Sequence, residues 1–128
     1  MNIVVDTMAY TALMRGESWA IERIEQAEHV ALPIVVVGEL RAGFIVGSKR
    51  VKNEAKLVEF LGRERVSILY LDQQSAHSYA LLFQYLKRAG TPIPLNDLWI
   101  AALAHQHAYA VLSRDAHFQR LPQIAVIT

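Results

Sequence analysis

Short apolar runs alternate along this chain with longer segments in which apolar residues recur at helical spacing. A short apolar run bounded by polar residues is typical of a strand that is buried on both faces of a sheet. The runs predict strands at residues 2–5, 30–32, 66–71, 109–113 and 124–127.

Helical spacing fills the intervals between these runs. It predicts helices directly after Asp6, at 18–28, from Pro33 towards Gly47, at 53–62, at 72–88 and from Asn96 to near His107, with a short helical piece ending at Leu121. Strands joined through helices require crossover connections, which are right-handed. We therefore predict an α/β fold with a parallel sheet flanked by helices, in one domain spanning residues 1–128.

For two of these helices, the sequence predicts further details. Residues 34–37 are β-branched and favour a strand by propensity, but Pro33 suits the first position of a helix, so the pattern favours a helix there. In the helix at 72–88, Gly90 is the expected stop. Its buried stripe is expected to be Ala76, Tyr79, Ala80, Phe83 and Leu86.

Composition limits the functions that this fold could serve. The chain has 128 residues, of which 53% are hydrophobic, and no cysteine, which excludes disulfides, thiolate catalysis and cysteine-based metal sites. We expect an unexported, cytoplasmic protein, because the sequence shows no basic leader and no apolar run long enough to span a membrane. The net charge of +1 gives no general affinity for nucleic acid, so any contact with RNA must come from a local patch.

Four acids differ from the other acids in their surroundings. Asp6, Glu39, Asp97 and Asp115 are flanked by apolar residues at a strand end or near a helix start, whereas the remaining eight lie among polar residues or at a cap. In a parallel sheet such positions meet at the carboxyl ends of the strands. Helix-start chemistry alone also accounts for Asp97, with Asn96 as the expected cap, and for Asp6, which itself or through Thr7 caps the first helix.

Carboxylates that share one crevice raise each other's pKa unless a cation joins them. Because the available ligands are oxygens, the expected cation is Mg²⁺, with Mn²⁺ as a substitute. Such an ion supports hydrolysis of a phosphodiester. The residues by themselves leave two interpretations open, a metal-dependent phosphoryl site and a set of structural acids and caps.

Four motifs in order carry a resemblance to a known family. They are Val5-Asp6-Thr7, the helical segment 37–43, the segment 90–94 leading into 96–102, and Ser113-Arg114-Asp115 followed by His117-Phe118. The sequence resembles PIN-domain ribonucleases nearly end to end, and more narrowly the VapC-type toxins of bacterial toxin–antitoxin pairs.

The resemblance implies a Mg²⁺- or Mn²⁺-dependent endoribonuclease that forms a homodimer and is inhibited by an antitoxin whose C-terminal segment covers the active site. By position, Asp6, Glu39, Asp97 and Asp115 match the family's acidic quartet. Asp6 and Asp97 are expected to be direct ligands. Glu39 and Asp115 are expected to bind through water, to bind a second ion or to orient the attacking water.

Polar neighbours are expected to support these acids. Thr7, Asn96 and Ser113 are the candidates, and Ser113 keeps the hydroxyl of the threonine frequent in relatives. Met8 departs from the family, in which many members have Asn or Ser at this position, so that polar contact is absent or supplied elsewhere.

Contacts with substrate are predicted at two places. Arg114 and His117 flank Asp115, although a packing or hydrogen-bonding role is the stronger expectation for His117. Lys49 and Arg50 begin a basic cluster suited to an RNA backbone, although the acids interleaved with it equally fit a solvated helix.

Apolar candidates are expected to pack rather than to bind. Trp19 and Trp99 occupy core-like helical positions. Leu40, Phe44 and Ile45, next to Glu39, fit either the core or a partner or dimer surface, with the core favoured.

The sequence thus predicts a toxin endoribonuclease that cuts an accessible loop of structured RNA, with transfer RNA as one candidate. Two alternatives stay open. A phosphatase would use Asp6 as its nucleophile, but those enzymes generally have a second Asp two residues later, where this chain has Met8. A non-enzymatic, receiver-like signalling module would need adjacent acids beside the first strand, which Val5-Asp6-Thr7 lacks.

Overall fold

Five strands form one parallel sheet with the first strand at its centre. The computed structural model describes residues 1–128, and its strands are β1 (Asn2–Val5), β2 (His29–Pro33), β3 (Val66–Leu69), β4 (Ala110–Leu112) and β5 (Val126–Ile127). Their order is β3-β2-β1-β4-β5 and every neighbouring pair is parallel. The predicted α/β class is therefore confirmed, with β3, β4 and β5 each two residues shorter than expected.

Six α-helices connect the strands. They are α1 (Thr7–Met14), α2 (Ser18–Gln26), α3 (Ile34–Val46), α4 (Arg50–Leu61), α5 (Gln73–Ala89) and α6 (Leu95–His107), and a 3₁₀ helix follows at Ala116–Arg120. All the predicted helices are present, although α4 begins three residues before the expected start. None of the six combines the length and the apolar character that a membrane crossing requires.

The central strands are buried on both faces. Ile3, Val4 and Val5 of β1 are all fully buried, although successive side chains of a strand point to opposite faces. Helix α6 is buried almost all round from Ile100 to Ala104. The carboxyl end of β1 therefore lies in the middle of the protein, among apolar side chains, where a polar side chain needs a specific reason.

Packing decides the conformation of residues 34–37. They form the first turn of α3, as the pattern favoured, and Val36, Val37 and Leu40 bury one side of the helix. Pro33 ends β2 and is the N-cap residue, one position before the predicted one, because its ψ of 143° is still extended. Burial here outweighs the preference of β-branched residues for strands.

The predicted buried stripe of α5 is wrong except at Leu86 and, in part, Tyr79. Ala76, Ala80 and Phe83 are exposed, and the buried residues are Ser75, Ser78, Leu82 and Leu86. The two serines face α6, where the Ser75 hydroxyl donates to the Gln106 side chain and the Ser78 hydroxyl lies 2.9 Å from Nδ1 of His105. Hydrogen bonds between the two helices thus rotate α5 away from the face that hydrophobicity alone predicts.

The ends of α5 follow the sequence more closely. Asp72 caps its first turn by accepting a hydrogen bond from the Ser75 backbone N–H, and this bond is the main reason why the pKa of Asp72 is lowered. Gly90 ends the helix in the left-handed conformation, at φ 70°, as predicted.

Tyr10 is the one aromatic residue of α1. Its ring packs edge-on against Phe60 at 5.4 Å between centroids, and its buried hydroxyl has no hydrogen-bond partner. Burial raises the pKa of Tyr10 to about 12, although the charge of Arg63 opposes the shift.

Tyr10→Phe should make the chain more resistant to alkaline unfolding. Tyr10 ionises near its ordinary pKa of 10.0 in the unfolded chain and only near about 12 in the folded one. The parent therefore loses stability as the pH rises between these values. Melting temperatures measured at several pH values should show the gap between variant and parent widening above about pH 10. Tyr85→Phe, at a more exposed tyrosine, is the control. A constant gap would contradict the prediction.

Candidate active site

The sheet reverses its strand order at β1, because β2 lies on one side of it and β4 on the other. Ligands of open α/β sheets bind in the crevice at such a switch point, beyond the carboxyl ends of the strands. Asp6 directly follows β1, Asp115 follows β4, and Asp97 lies in the first turn of α6. The topology therefore brings three of the four predicted acids to one crevice.

Asp6 is the most buried of these acids, with 4% of its surface exposed. Its Oδ1 accepts a hydrogen bond from the Ala9 backbone N–H at 2.8 Å, which caps α1. Its Oδ2 accepts a hydrogen bond from the Ser113 hydroxyl. Because Ser113 follows β4, the carboxylate joins the ends of the two central strands and is fixed in orientation.

The electrostatics of Asp6 are dominated by its burial. Burial raises the pKa of Asp6, the hydrogen bonds from Ser113 and Ala9 lower it, and the nearby charges of Asp97 and Asp115 raise it again. The net direction is upward, so the ionised carboxylate is destabilised in the folded chain. A cation in the crevice would relieve that cost.

Asp97, Asp115 and His117 form a compact group in front of Asp6. Nδ1 of His117 lies 2.8 Å from Oδ2 of Asp97 and 3.0 Å from Oδ1 of Asp115. The three side chains are half-buried, and each offers a ligand atom within 4.8 Å of the others. For His117 the sequence favoured a packing or hydrogen-bonding role over a contact with substrate, and the structure places its ring within hydrogen-bond distance of two of the acids.

A local turn explains the position of His117. Asp115 begins the 3₁₀ helix and its Oδ1 accepts from the His117 backbone N–H at 2.9 Å, while the Asp115 backbone N–H donates to the Ser113 hydroxyl at 2.9 Å. The signal in the sequence was the two-residue spacing from Asp115 to His117, which suits an Asp-capped turn. The spacing could not reveal the contact between His117 and Asp97, because Asp97 lies in α6, in a distant part of the sequence.

Glu39 lies beside this group rather than within it. It is half-buried on α3, and the Thr7 hydroxyl donates to its Oε1 at 3.0 Å. Since Thr7 directly follows Asp6, one hydrogen bond links Glu39 to the residue next to the buried acid. Met8, the departure from the family pattern, is 61% exposed and points away from the core.

Asn96 does not cap α6, which corrects the prediction. Pro94 is the N-cap residue, with ψ 146°, and its carbonyl oxygen accepts from the Leu98 N–H. The helix therefore begins at Leu95, which places Asn96 inside the first turn with an exposed side chain. The extended conformation of Pro94 already supplies the helix start that Asn96 was expected to provide.

Of the candidate substrate contacts, only His117 makes a direct contact with the acids. The guanidinium of Arg114 lies 4.3 Å from the ring centroid of Trp19, a cation–π contact, and Arg114 makes no ion pair. Lys49 and Arg50 are exposed at the start of α4.

The candidate packing residues differ in burial, and the expectation of a core position is confirmed for Leu40 but wrong for Ile45. Trp19 is half-buried beneath Arg114, and Trp99 is half-buried and stacks on Tyr79 at 4.1 Å. On α3, Leu40 is in the core and Phe44 is half-buried, but Ile45 is 60% exposed.

The donors in the crevice fit a divalent metal. The carboxylates of Asp97 and Asp115 and the imidazole of His117 converge. The buried carboxylate of Asp6 lies close enough for the charges of both acids to raise its pKa. Oxygen-rich sites of this kind suit Mg²⁺ or Mn²⁺, and an imidazole is more compatible with Mn²⁺. The fold and the site together define the class of this protein. It is an α/β protein with an acidic crevice at a topological switch point of its sheet.

Comparison with known proteins narrows this class to one family. The PIN-domain family model matches residues 3–124. Ribonuclease VapC4 of Mycobacterium tuberculosis is 34% identical over 95 residues, which cover 74% of this chain and 73% of that protein. Ribonuclease VapC1 of Haemophilus influenzae is 30% identical over 129 aligned residues, which cover 97% of this chain and 95% of that protein. The chain therefore belongs to the PIN-domain family, among the VapC proteins.

Solved structures agree with this assignment. The VapBC-5 toxin–antitoxin structure from Mycobacterium tuberculosis matches with a TM-score of 0.80 at 27% identity, covering 98% of this chain and 97% of that chain. FitAcB from Neisseria gonorrhoeae matches with a TM-score of 0.78 at 29% identity, covering 98% of this chain and 96% of that chain. The resemblance found in the sequence is confirmed, and the phosphatase and receiver-like alternatives receive no support from these matches.

Asp6→Asn should stabilise the metal-free chain at neutral pH. The amide still accepts from Ala9 but carries no charge to be desolvated, and a rise in Tm of about 2–5 °C is expected. The folded pKa of Asp6 is raised, so the parent loses stability as the pH rises through the ordinary value of 3.8 towards the folded value. Melting curves in chelator should therefore show a larger gain for the variant near pH 7 than near pH 4. A lower Tm for the variant at neutral pH would contradict this account.

Proposed function

We propose that this chain is the toxin endoribonuclease of a toxin–antitoxin pair and hydrolyses a phosphodiester bond of RNA with the help of a divalent metal. The observation that carries the proposal is the convergence of Asp6, Asp97 and Asp115 at the end of β1, with Asp6 buried and its pKa raised. The relatives named ribonucleases support the reaction, and a protein that acts on RNA in this way would work in the cytoplasm.

Asp6 and Asp97 are the proposed direct ligands of Mg²⁺, for which Mn²⁺ would substitute. Glu39 and Asp115 would bind through water or orient the attacking water. When bound, such an ion lowers the pKa of a water molecule and stabilises charge on the leaving oxygen. In the overall hydrolysis, the water oxygen bonds to phosphorus, the ester P–O bond breaks, and the leaving oxygen takes a proton.

The chain's own residues hold the acids in place. The Ser113 hydroxyl and the Ala9 N–H fix both oxygens of Asp6, so this carboxylate cannot rotate freely. The Thr7 hydroxyl orients Glu39. Such fixed hydrogen bonds are the usual support of metal-binding carboxylates.

His117 is proposed as a positioning residue. Its Nδ1 lies within hydrogen-bond distance of both Asp97 and Asp115 and so sets the separation of these two carboxylates. Arg114 is proposed to contact RNA, because no acid neutralises its charge beside the crevice.

A cognate antitoxin that covers the active site is the proposed protein partner, and the chain is proposed to form a homodimer. The matched VapBC-5 structure from Mycobacterium tuberculosis is that of a member of a family of toxin–antitoxin systems. Helix α3, which carries Glu39, continues into Ile45 and Val46, which are 60% and 89% exposed. Exposed apolar residues in such a group mark a surface for a protein.

Asp97→Asn should reduce RNA cleavage by about 100-fold or more, because it removes a negative ligand while keeping the shape of the side chain. Cleavage of total RNA and growth arrest on expression are the measurements. Asp72→Asn is the matched control, since Asp72 also lies at a helix start but caps α5 away from the crevice, and it should retain activity. Full activity in the Asp97→Asn chain would exclude the proposed mechanism.

Removal of divalent ions with a chelator should abolish cleavage, and Mg²⁺ or Mn²⁺ should restore it. The same ions should raise the Tm of the parent chain, because a ligand that binds only the folded state stabilises it. The rise should be much smaller for Asp97→Asn. Cleavage that persists in chelator, or an equal rise in Tm for both chains, would show that the crevice is not the metal site.

A further inference from the structure

A second cavity, of about 410 Å³, opens between α1, α3 and α4. It is formed by Tyr10 and Thr11 of α1, Leu40 of α3, Asn53 of α4 and their neighbours, and is distinct from the crevice of acids. Three of its lining residues are positively charged, namely Arg15, Lys49 and Lys56, and none is acidic. This local concentration of charge contrasts with the net charge of only +1 for the whole chain.

The three cations are not neutralised by the protein. The ion pairs of the chain involve the N-terminus with Glu28, Arg41 with Glu54, and His117 with the active-site acids. Glu54 neighbours Asn53 in α4, but Arg41 binds its Oε1 at 2.7 Å. The charge of Glu54 also acts on Tyr10, but this single acid is paired with Arg41, so the lining keeps a net positive charge, which favours an anion.

The polar groups of the cavity also suit an anion. Lys49, Asn53 and Lys56 recur on one face of α4, so their side chains lie side by side. Tyr10, which lines the cavity, is 2% exposed and its hydroxyl has no hydrogen-bond partner. A buried hydroxyl without a partner is unfavourable, and a bound ligand or an ordered water would satisfy it.

A direct structural connection joins this cavity to the active site. The Thr11 hydroxyl donates to the Thr7 carbonyl oxygen at 3.0 Å, and the Thr7 hydroxyl donates to Glu39. Thr11 follows Asp6 by five positions, which is roughly 7 Å along a helix. Leu40, the residue after Glu39, also lines the cavity. A strand of RNA with one phosphate at the acids could thus place a nearby phosphate in the cavity.

We propose that this cavity binds a backbone phosphate of the RNA substrate, a few nucleotides from the bond that is cut. The inference rests on the proposed ribonuclease function and adds a positioning site to it. Three unpaired cations with no acid among them, next to the crevice, fit a repeating chain of phosphates better than a peptide of mixed charge. An acidic segment of the antitoxin is the competing occupant, and the experiment separates the two.

The test compares two triple variants in the inactive Asp97→Asn chain. The cavity variant carries Arg15→Gln, Lys49→Gln and Lys56→Gln, and the control carries Lys52→Gln, Lys87→Gln and Arg88→Gln, which remove the same charge from exposed positions outside the cavity. Binding of a labelled oligoribonucleotide of mixed sequence is measured by fluorescence anisotropy at several salt concentrations. The cavity variant should bind at least about 10-fold more weakly, and its salt slope should fall by about 2.

Kinetics give a second readout that a structural defect would not mimic. In the active chain the cavity variant should raise KM about 10-fold or more while kcat and Tm change little, because the acids and their hydrogen bonds are untouched. The control variant should keep KM and the RNA affinity within about threefold of the parent.

The outcomes separate this proposal from the one on which it rests. Equal losses of RNA affinity in the two triple variants would overturn the phosphate site, and so would an unchanged affinity and salt slope in the cavity variant. In either case, cleavage of RNA by the parent chain would still support the ribonuclease function. If the cavity variant lost antitoxin binding but kept its RNA affinity, the cavity would be assigned to the antitoxin, and the phosphate site would again be overturned. Failure of the parent chain to bind or cut RNA would instead refute the proposed function itself.

Discussion

The structure of the active site depends on one buried carboxylate. Asp6 lies at the end of the central strand, where its two oxygens are held by the Ala9 N–H and the Ser113 hydroxyl. These bonds cap the first helix and connect β1 to β4, so the residue that stabilises the local fold is also one whose ionised form is disfavoured by burial, which raises its pKa. The hydrogen bonds oppose the rise in pKa but do not remove it, so a cation in the crevice would stabilise the ionised carboxylate.

The chain distributes opposite charges over two neighbouring surfaces. Acids gather at the carboxyl ends of β1 and β4, and cations gather around the cavity between α1, α3 and α4. The two surfaces meet through Thr7 and Thr11, one helical turn apart. If both proposals hold, a nearly neutral protein presents a metal site and a phosphate site to the same polyanion, although its net charge predicts neither.

Much of the fold was predictable, because buried strands and capped helices leave strong local patterns. The order of strands and helices, the Asp6 cap, the stop at Gly90 and the helix after Pro33 all agree with the sequence. The errors arose where partners come from elsewhere in the chain. Ser75 and Ser78 are buried because α6 offers them hydrogen bonds, and Asn96 is displaced from the cap because Pro94 is already extended.

The sequence by itself determined the class of fold, the family and the identity of the candidate acids, since each of these depends on the type of residue and its position along the chain. Only the tertiary structure decided which groups meet. It joined His117 to both Asp97 and Asp115, linked Glu39 to Thr7 beside them, and brought cations from the end of α1 and from α4 to one cavity. The physical reason is that contacts between distant segments depend on crossover geometry and packing, which no local pattern records.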